Sequence, residues 1–331
     1  MDAVKEPLCD SFGRKITYLR VSVTDRCNHR CTYCAPLGEN HKTRAEILSF
    51  DEIARVVGRM AERGITKVRL TGGEPLVRKN VVELVGMLSG IKGIEDLSMT
   101  TNASLLSRFA RALKENGLKR LNISLDTLKE DVFRSVSGGG ELRPVLEGIE
   151  AAIREGLVPI KLNCVLLRGI NEDELADIID YASERDMTVR FIELMPMSDG
   201  LDWKNHFVSI EDILKREDIR KRVDVYAPPE KDRMAAYSLP LKSGKGKAGF
   251  ISPMSNRFCH ACNRMRLTSD GKLRSCLPAD MDVDLRPALR PAGDDSELIS
   301  LITKAVAIKP EMGVYTFTGE GRERSMIHIG G

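Results

Sequence analysis

The run Cys27-Asn28-His29-Arg30-Cys31-Thr32-Tyr33-Cys34 places three cysteines on one short segment with the spacing C-x3-C-x2-C. Three thiolates crowded in this way suit a cubane iron–sulfur cluster, because each cysteine can hold one iron of a small cube. A four-iron cluster with three cysteine ligands keeps one iron without a protein ligand. A small molecule can bind that iron and be reduced there. The spacing therefore predicts a [4Fe-4S] cluster on Cys27, Cys31 and Cys34.

Two alternatives to a cluster stay open for this segment. The first is structural zinc, which takes four ligands from cysteine and histidine, and His29 could supply the fourth. Because His29 lies between two of the cysteines on a tight loop, it would close a tetrahedron only under strain. The second is chance clustering, since the chain has eight cysteines. The cluster is the favoured interpretation.

Outward from this segment, the chain alternates strand-like and helix-like stretches up to about Met195. Apolar residues of the helix-like stretches repeat every three or four positions, as Ile53, Val56, Val57 and Met60 do, which indicates one buried face. The predicted strands are Ile16–Thr24, Lys67–Thr71, Asp96–Thr101, Lys119–Leu125, Val158–Leu167 and Thr188–Leu194. The predicted helices are Asp51–Arg63, Asn80–Leu88, Ser104–Glu115, Pro144–Glu155 and Asp173–Arg185.

Six β-then-α units in a row predict parallel strands with right-handed crossovers. A doubly wound open sheet and a barrel both fit this pattern. The barrel is favoured because the unusual segments follow the carboxyl ends of predicted strands, where barrel enzymes place their chemistry. These segments are the first cysteine run, Gly72-Gly73-Glu74, Thr100-Thr101-Asn102, Ser124 and Glu193 to Met195. The predicted fold class is α/β, with an incomplete (β/α)6 TIM-type barrel.

The composition changes after about Gly200, where proline, lysine and glycine become frequent and mark loops. Arg264–Thr268 and Lys272–Cys276, joined around Asp270-Gly271, predict a β-hairpin. A further helix is predicted at Ser296–Ala307. We therefore predict a barrel over residues 1–200 and a smaller C-terminal α+β region over residues 201–331 that closes its open side.

The bulk composition is that of a soluble globular enzyme, with 42% hydrophobic and 30% charged residues in 331. The 51 basic residues are nearly balanced by 48 acidic ones, which argues against a nucleic-acid surface or a polybasic membrane anchor. No apolar run approaches the length of a membrane span, and Met1 to Gly13 lacks the pattern of a signal peptide. A cytoplasmic location is therefore expected, where eight cysteines indicate metal rather than disulfides.

A second set of cysteines, with the spacing C-x2-C-x13-C, is a moderately specific metal signal. Its members are Cys259, Cys262 and Cys276. Zinc with His260 as a fourth ligand is an alternative here. Arg264 and Arg266 follow at alternate positions of a predicted strand, so they point to one face beside these cysteines. Two arginine forks on one face can bind a polyphosphate. Without the cysteines, such a pair would indicate a solvated edge strand.

The first cysteine segment, with an aromatic residue before its last thiol, closely resembles the signature of the radical S-adenosylmethionine (SAM) enzymes. The resemblance implies that the open iron chelates the amino and carboxylate groups of SAM. An electron from the cluster would then release a 5′-deoxyadenosyl radical, which carries the difficult chemistry. It also implies that Tyr33 packs near the adenine. Gly72-Gly73-Glu74-Pro75 matches the glycine-rich site for the SAM amine.

From its N-terminus to its last residue, the chain resembles the GTP 3′,8-cyclase family of molybdenum cofactor biosynthesis. The matching stretches are SFGR at 11–14, LRVSVTDRC at 19–27, RLTGGEPL at 69–76, NISLDT at 122–127, RFIELMP at 190–196, the second cysteine set and the terminal Gly330-Gly331. Any one of these stretches could mislead. Together, in this order and at these separations, they are highly specific.

The resemblance implies two [4Fe-4S] clusters, SAM and GTP. The second cluster would lie on the second cysteine set, with its open iron on the guanine, so that SAM and GTP face each other across the barrel. Residues implied for GTP are Arg20, Arg69, Thr100, Lys161, Arg190, Arg264 and Arg266, with Lys67 as a weaker candidate. Residues implied for SAM are Tyr33, Gly73, Ser124 and Met195.

The reaction implied is cyclisation of GTP to (8S)-3′,8-cyclo-7,8-dihydroguanosine 5′-triphosphate. The adenosyl radical removes hydrogen from C3′ of the ribose, the C3′ radical attacks C8 of the guanine, and the product radical is reduced. No side-chain acid or base is implied, because the protein contributes positioning and exclusion of water. The resemblance also implies that Gly330 and Gly331 thread toward the active site. The chain departs from the family at Ala35, where methionine is usual, and at Ala103, where glycine is usual.

The resemblance further implies an external electron donor and delivery of the product to cyclic pyranopterin monophosphate synthase. A monomer and a homodimer both fit the sequence. Two alternative functions are kept. A radical SAM peptide-modifying enzyme with an auxiliary cluster would not need the arginine pair. A zinc-stabilised binding module would need a basic patch, which the balanced composition does not show.

Overall fold

A computed structural model of the 331-residue chain describes residues 6–34, 41–197, 201–232, 236–279, 281–291, 293–313 and 326–330. Its first two-thirds consist of six strands that alternate with helices. The strands are β1 Tyr18–Ser22, β2 Lys67–Thr71, β3 Asp96–Thr101, β4 Arg120–Ser124, β5 Ile160–Leu166 and β6 Thr188–Glu193. The helices between them are α1 Phe50–Ala61, α2 Val81–Ser89, α3 Leu106–Glu115, α4 Glu130–Val136, α5 Leu142–Arg154 and α6 Leu175–Glu184.

All six strands pair in parallel and in chain order, which confirms the predicted βα units. The bounds predicted for β2 and β3 agree with the structure residue for residue. The first strand was predicted two residues too long at each end. Helix α4 was not predicted, because seven residues are too few for a helical period to stand out.

The later part of the chain adds strands to both edges of this sheet. Its strands are β7 Glu230–Asp232, β8 Ala236–Pro240, β9 Lys247–Ile251, β10 Arg264–Leu267, β11 Lys272–Arg274 and β12 Asp282–Asp284. Strand β10 pairs in parallel with β1, and β9 pairs in parallel with β6. The described sheet thus has twelve strands in the order β12-β11-β10-β1-β2-β3-β4-β5-β6-β9-β8-β7. The antiparallel pairing of β10 with β11 confirms the predicted hairpin.

The remaining helices are α7 Trp203–His206, α8 Ile210–Lys215, α9 Glu217–Arg222, α10 Arg286–Leu289, α11 Asp295–Ala307 and α12 Met326–Ile329. Helix α11 begins one residue before the predicted start and ends where predicted. None of the helices in the described part of the chain is long and apolar enough to cross a membrane.

The two faces of the sheet differ in chemistry, and this difference positions the site. On β1, Leu19 and Val21 are fully buried in the hydrophobic core, which also contains Ile53 and Val57 of α1. Because side chains alternate along a strand, Tyr18 and Arg20 point the other way, into the interior of the incomplete barrel. A Ser49 capping box with Glu52 begins α1 on the outer layer.

Candidate functional site

The first cysteine segment forms a tight loop beyond the carboxyl end of β1. The amide of Cys34 donates to the carbonyl of Cys31 at 2.9 Å, which closes the turn between the last two thiols. The sulfur of Cys27 accepts hydrogen bonds from the His29 amide at 3.4 Å and from Nδ2 of Asn102 at 3.9 Å. Hydrogen bonds to the ligand sulfurs are a usual feature of iron–sulfur sites. The loop therefore fits a cluster held by these three thiols.

The glycine-rich segment after β2 packs closely against this loop. The backbone of Gly73 is so close to the loop that an added Cβ would lie 2.2 Å from the carbonyl oxygen of Arg26. The neighbouring carboxylate of Glu74 is buried and accepts from the Thr101 hydroxyl and the Asn102 amide, both at 2.7 Å. Burial raises the pKa of Glu74 to about 7. Asn102 thus links Glu74 to the sulfur of Cys27.

Tyr33 is held in place by a residue that the sequence did not single out. Its hydroxyl donates to Oδ2 of Asp126 at 2.6 Å, and Oδ1 of Asp126 accepts from the Val165 amide at 2.8 Å. Burial raises the pKa of Asp126 to about 6. Asp126 lies two residues beyond Ser124, so this contact brings Tyr33 next to the end of β4.

The zinc alternatives do not fit either set. His29 is buried against Phe133, with their ring centroids 5.7 Å apart, and its burial lowers its pKa. His260 beside the second set is exposed. Within the described ranges, no three histidine, cysteine, aspartate or glutamate side chains converge on the position of one metal ion. A cubane, whose ligands bind different irons, holds its thiolates further apart than a single ion does.

An arginine row crosses three neighbouring strands at the same level. Arg266 on β10 is in register with Arg20 on β1, and Arg20 is in register with Arg69 on β2. Arg264 lies one step below, in register with Tyr18. The other side of the interior carries Lys161 in register with Asn122, and Arg190 in register with Asn163. The residues predicted for an anionic ligand therefore face one space.

The arginine row has no carboxylate partner among the described residues. Nε and one terminal nitrogen of Arg264, and one terminal nitrogen of Arg266, are buried without a hydrogen-bond partner in this part of the chain. Arg69 reaches only the Ser98 hydroxyl, at 3.4 Å. Burial, with repulsion from nearby arginines, lowers the pKa of Arg69 and of Arg266 to about 9. Buried charges without partners are costly, so this space fits a polyanion.

The two cysteine sets lie at opposite ends of the barrel strands. The first follows the carboxyl end of β1, whereas Cys262 precedes the amino end of β10, which runs parallel to β1. Cys276 follows β11, which runs antiparallel to β10 and so ends near Cys262. The five residues of β1 span roughly 16 Å at about 3.3 Å per residue. The arginine row lies between the two sets.

Other predicted site residues lie around the same interior. Thr100 is in register with Asn122, and its hydroxyl is buried without a partner in the described ranges. Met195 follows the end of β6 by two residues. Gly330 lies at the carboxyl ends of β1 and β2, since an added Cβ would be 2.6 Å from Oγ1 of Thr71. Gly331 lies outside the described residues.

Lys67, the weaker candidate, lies at the edge of this group, in register with Tyr18 and on the same face of β2 as Arg69. It is at the amino end of β2, its side chain is half exposed, and its ammonium pairs with Asp96 at 3.9 Å.

Of the two departures from the family pattern, Ala35 is outside the described residues. Ala103 is described and has a φ of +62°, the left-handed conformation that glycine adopts more readily.

Two family models match the chain in succession. The Radical SAM superfamily matches residues 21–182, and Molybdenum Cofactor Synthesis C matches residues 187–314. A GTP 3′,8-cyclase of Alkaliphilus metalliredigens is 44% identical over 97% of this chain and 99% of that protein. A GTP 3′,8-cyclase of Moorella thermoacetica is 45% identical over the same shares. The chain belongs to the GTP 3′,8-cyclase family.

Solved structures with low sequence identity share the fold of this GTP 3′,8-cyclase family member. Native anSMEcpe with bound AdoMet has a TM-score of 0.62 at 16% identity, covering 89% of this chain and 81% of that one. Streptococcus suis SuiB bound to S-adenosylmethionine has a TM-score of 0.61 at 15% identity, covering 90% and 68%. They support the incomplete TIM-type barrel of the radical SAM fold.

Tyr18, which lies beside the arginine row, is a residue that sequence reasoning missed. Burial by itself raises the pKa of its phenol, but Arg69, Arg20 and Arg264 together outweigh burial and lower it to about 7. Nε of Arg20 donates to the hydroxyl at 3.4 Å, and the Arg69 guanidinium lies 5.4 Å from the ring centroid. Its position two residues before Arg20, on the same strand face, was a usable signal.

We predict that Tyr18 ionises near pH 7 in the enzyme without GTP. Its phenol is neutral below this pH and a phenolate above it. Phenolate absorbance should therefore rise near pH 7 in wild type and not in Tyr18→Phe, compared in the same cluster state. Inorganic triphosphate should move the transition to higher pH, because it neutralises the arginines. Tyr33, Tyr181 and Tyr237 should not interfere, since their pKa values are raised. An unchanged transition in Tyr18→Phe would assign it to another group.

Proposed function

We propose that this chain cyclises GTP to (8S)-3′,8-cyclo-7,8-dihydroguanosine 5′-triphosphate, the first step of molybdenum cofactor biosynthesis. One observation carries the proposal: the arginine row of Arg266, Arg20 and Arg69 lies between two cysteine triads at opposite ends of the barrel strands. Membership of the GTP 3′,8-cyclase family over 97% of the chain supports it. The chain is a radical SAM enzyme with two [4Fe-4S] clusters.

The cofactors supply the radical chemistry: when bound, SAM and the first cluster provide the 5′-deoxyadenosyl radical that takes hydrogen from C3′ of GTP. Cys27, Cys31 and Cys34 hold this first cluster. Its SAM ligand lies among Tyr33, Gly73, Ser124 and Met195. Tyr33 is fixed by its 2.6 Å hydrogen bond to Asp126, which limits its freedom to move away from a ligand. Cys259, Cys262 and Cys276 would hold the second cluster, which would supply an iron for binding the guanine.

The triphosphate and ribose of GTP lie on the interior face of the barrel. Arg264 and Arg266 hold buried guanidinium nitrogens that have no partner in the described part of the chain, and a triphosphate supplies acceptors for them. The other GTP ligands are Arg20, Arg69, Thr100, Lys161 and Arg190. No side chain acts as a general acid or base. The residues bind the two reactants close together and exclude water from the radical intermediate.

The C-terminal tail contributes to this site. The backbone of Gly330 lies close to Ser22 and Thr71. These residues follow Arg20 and Arg69 by two positions, so they are on the same interior face, nearer the carboxyl ends of the strands. A residue with a Cβ would clash there, and Gly330 also has a φ of +76°. The proposal also assigns Gly331, which the described residues do not include, to this tail.

Several properties of the whole protein belong to this proposal. Residues 1–200 form the radical SAM barrel unit and residues 201–331 the unit that carries the second cluster, whereas the two family models meet between residues 182 and 187. The enzyme acts in the cytoplasm as a monomer or homodimer. An external donor supplies its electrons, and cyclic pyranopterin monophosphate synthase takes its product. Nucleic acid and membrane are not partners. The peptide-modifying alternative is not favoured, since a peptide gives the arginine row no polyanion.

The test is anaerobic reconstitution with iron and sulfide, followed by SAM, reductant and GTP. We expect 5′-deoxyadenosine together with an isomer of GTP, both detected by mass spectrometry. ATP in place of GTP is the matched control, because it offers the same triphosphate without the guanine. 5′-Deoxyadenosine that does not respond to GTP, with no new nucleotide, would contradict the proposal and direct the search to peptide substrates.

A further inference from the structure

Lys309 is a buried cation beside the second cysteine set. It lies two residues after the end of α11 and is 3% exposed. Its ammonium donates to the carbonyl of Arg264 at 2.9 Å and to the carbonyl of Ser275 at 2.5 Å. Arg264 begins β10, and Ser275 follows β11. One ammonium thus joins both arms of the hairpin at the end where Cys262 and Cys276 lie.

The charge of Lys309 is not balanced by a carboxylate among the described residues. The charged groups that act on it are the thiols of Cys262 and Cys276 and the guanidinium of Arg14. Arg14 is also a cation, and it is already paired with Asp10 at 2.6 Å. Burial lowers the pKa of Lys309. A buried ammonium needs a nearby negative charge. Cysteines that bind metal do so as thiolates, and they provide that charge.

We infer that Lys309 is a positioning residue of the second cluster, whose ammonium fixes the hairpin and stabilises the reduced state of that cluster. The inference rests on the proposed function, which assigns the cluster to Cys259, Cys262 and Cys276. Net charge and hydrogen bonds to the sulfurs set the reduction potential of an iron–sulfur cluster. A fixed cation beside the cluster's cysteine ligands favours the state with one more electron.

Arg14 supports the same loop as Lys309 but has a carboxylate partner for its charge, so it provides a comparison for the unbalanced charge of Lys309. Its guanidinium donates to the carbonyl of Cys259 at 2.8 Å and to the carbonyls of Pro310 and Glu311 at 2.7 and 2.9 Å. It therefore braces the same loop, but its own charge is matched by Asp10. Lys309 differs because its hydrogen-bond partners in the described chain are two neutral carbonyls, which do not balance its charge.

The experiment is a redox titration of the reconstituted full-length enzyme, followed by electron paramagnetic resonance. The second cluster's signal is identified as the one that Cys276→Ala loses, and the first cluster serves as an internal reference. In Lys309→Met and Lys309→Gln, the ratio of reduced to oxidised second cluster at a fixed potential should fall about tenfold. That fall corresponds to a negative shift of about 59 mV for a one-electron couple. Lys309→Arg should restore most of the wild-type potential.

Lys304→Met is the matched control, because Lys304 lies on the exposed face of α11 and should leave both potentials unchanged. A second readout is iron release to a chelator. Lys309→Gln should lose the iron of the second cluster about ten times faster than wild type, while the first cluster is retained. This readout covers the case in which Lys309→Met does not fold.

Two results would overturn the inference, and they are distinguishable. About eight irons per chain in wild type, with unchanged potential and iron release in Lys309→Gln, would overturn the role of Lys309 alone. About four irons per chain in wild type would overturn the second cluster of the proposed function, and the role of Lys309 with it.

Discussion

Cys31→Ala is expected to abolish formation of 5′-deoxyadenosine, both with and without GTP, and to lower the iron content to about half. The two remaining thiols of the segment cannot hold a cubane that keeps one iron open. The local fold should survive, because the turn is closed by the carbonyl of Cys31 and the amide of Cys34, which alanine preserves. Iron analysis and mass spectrometry of the SAM products measure both effects.

Cys276→Ala provides the comparison that separates the two clusters. It should also halve the iron content, yet retain SAM cleavage while losing the nucleotide product. Cys9→Ala is the matched control, since Cys9 is an exposed free cysteine in neither set and should change nothing. If Cys31→Ala kept its full iron content, the first cluster could not be held by this segment. If Cys276→Ala still made the cyclic nucleotide, the guanine site would be elsewhere.

The barrel could be predicted from the sequence because its signals are local. Strands such as Lys67–Thr71 are short, carry buried apolar residues at alternate positions and are followed by glycine, and α1 shows its buried face within one window of residues. The cysteine spacing within each set is local too. By contrast, nothing in the sequence indicates that β10 pairs in parallel with β1. That pairing joins residues far apart in the chain, and it is what aligns Arg266 with Arg20.

The residues that sequence reasoning missed share one physical reason. Asp126 and Lys309 act through partners on distant segments, so their neighbours in sequence do not mark them, and of the partners of Tyr18 only Arg20 is close in sequence. Asp126 meets Tyr33 from the end of another strand, and Lys309 reaches back to β10 from the far end of α11. Each looks by itself like an ordinary aromatic or charged residue. Only packing shows that each is buried beside a cofactor or substrate position.

Arg266→Met is expected to weaken GTP binding by about 30- to 150-fold, the loss of about 2–3 kcal/mol that follows removal of a buried charged contact. Arg266 is 6% exposed, and one of its terminal nitrogens has no partner among the described residues until an anion arrives. Formation of 5′-deoxyadenosine from SAM without GTP should be unchanged, because the substitution is on the GTP side of the barrel. Equilibrium dialysis under anaerobic conditions measures the dissociation constant.

The same substitution should raise the thermal stability of the free enzyme. Burial and repulsion from Arg20 and Arg264 lower the pKa of Arg266 to about 9, so its charge is unfavourable in the absence of GTP. Methionine fills much of the same volume without the charge, and such replacements of buried charges are often stabilising. The arginine row therefore costs stability in the free enzyme and gives affinity in the complex.

Arg120→Met is the matched control, because it removes a partly buried arginine that already has its partner. Arg120 binds both carboxylate oxygens of Asp96, at 2.9 and 2.7 Å. Its loss leaves that carboxylate without its bidentate partner, so Arg120→Met should lower the melting temperature and leave GTP affinity within about twofold. If Arg266→Met behaved like Arg120→Met in both measurements, Arg266 would be a structural residue. The assignment of the arginine row to the triphosphate depends on the two variants having opposite effects.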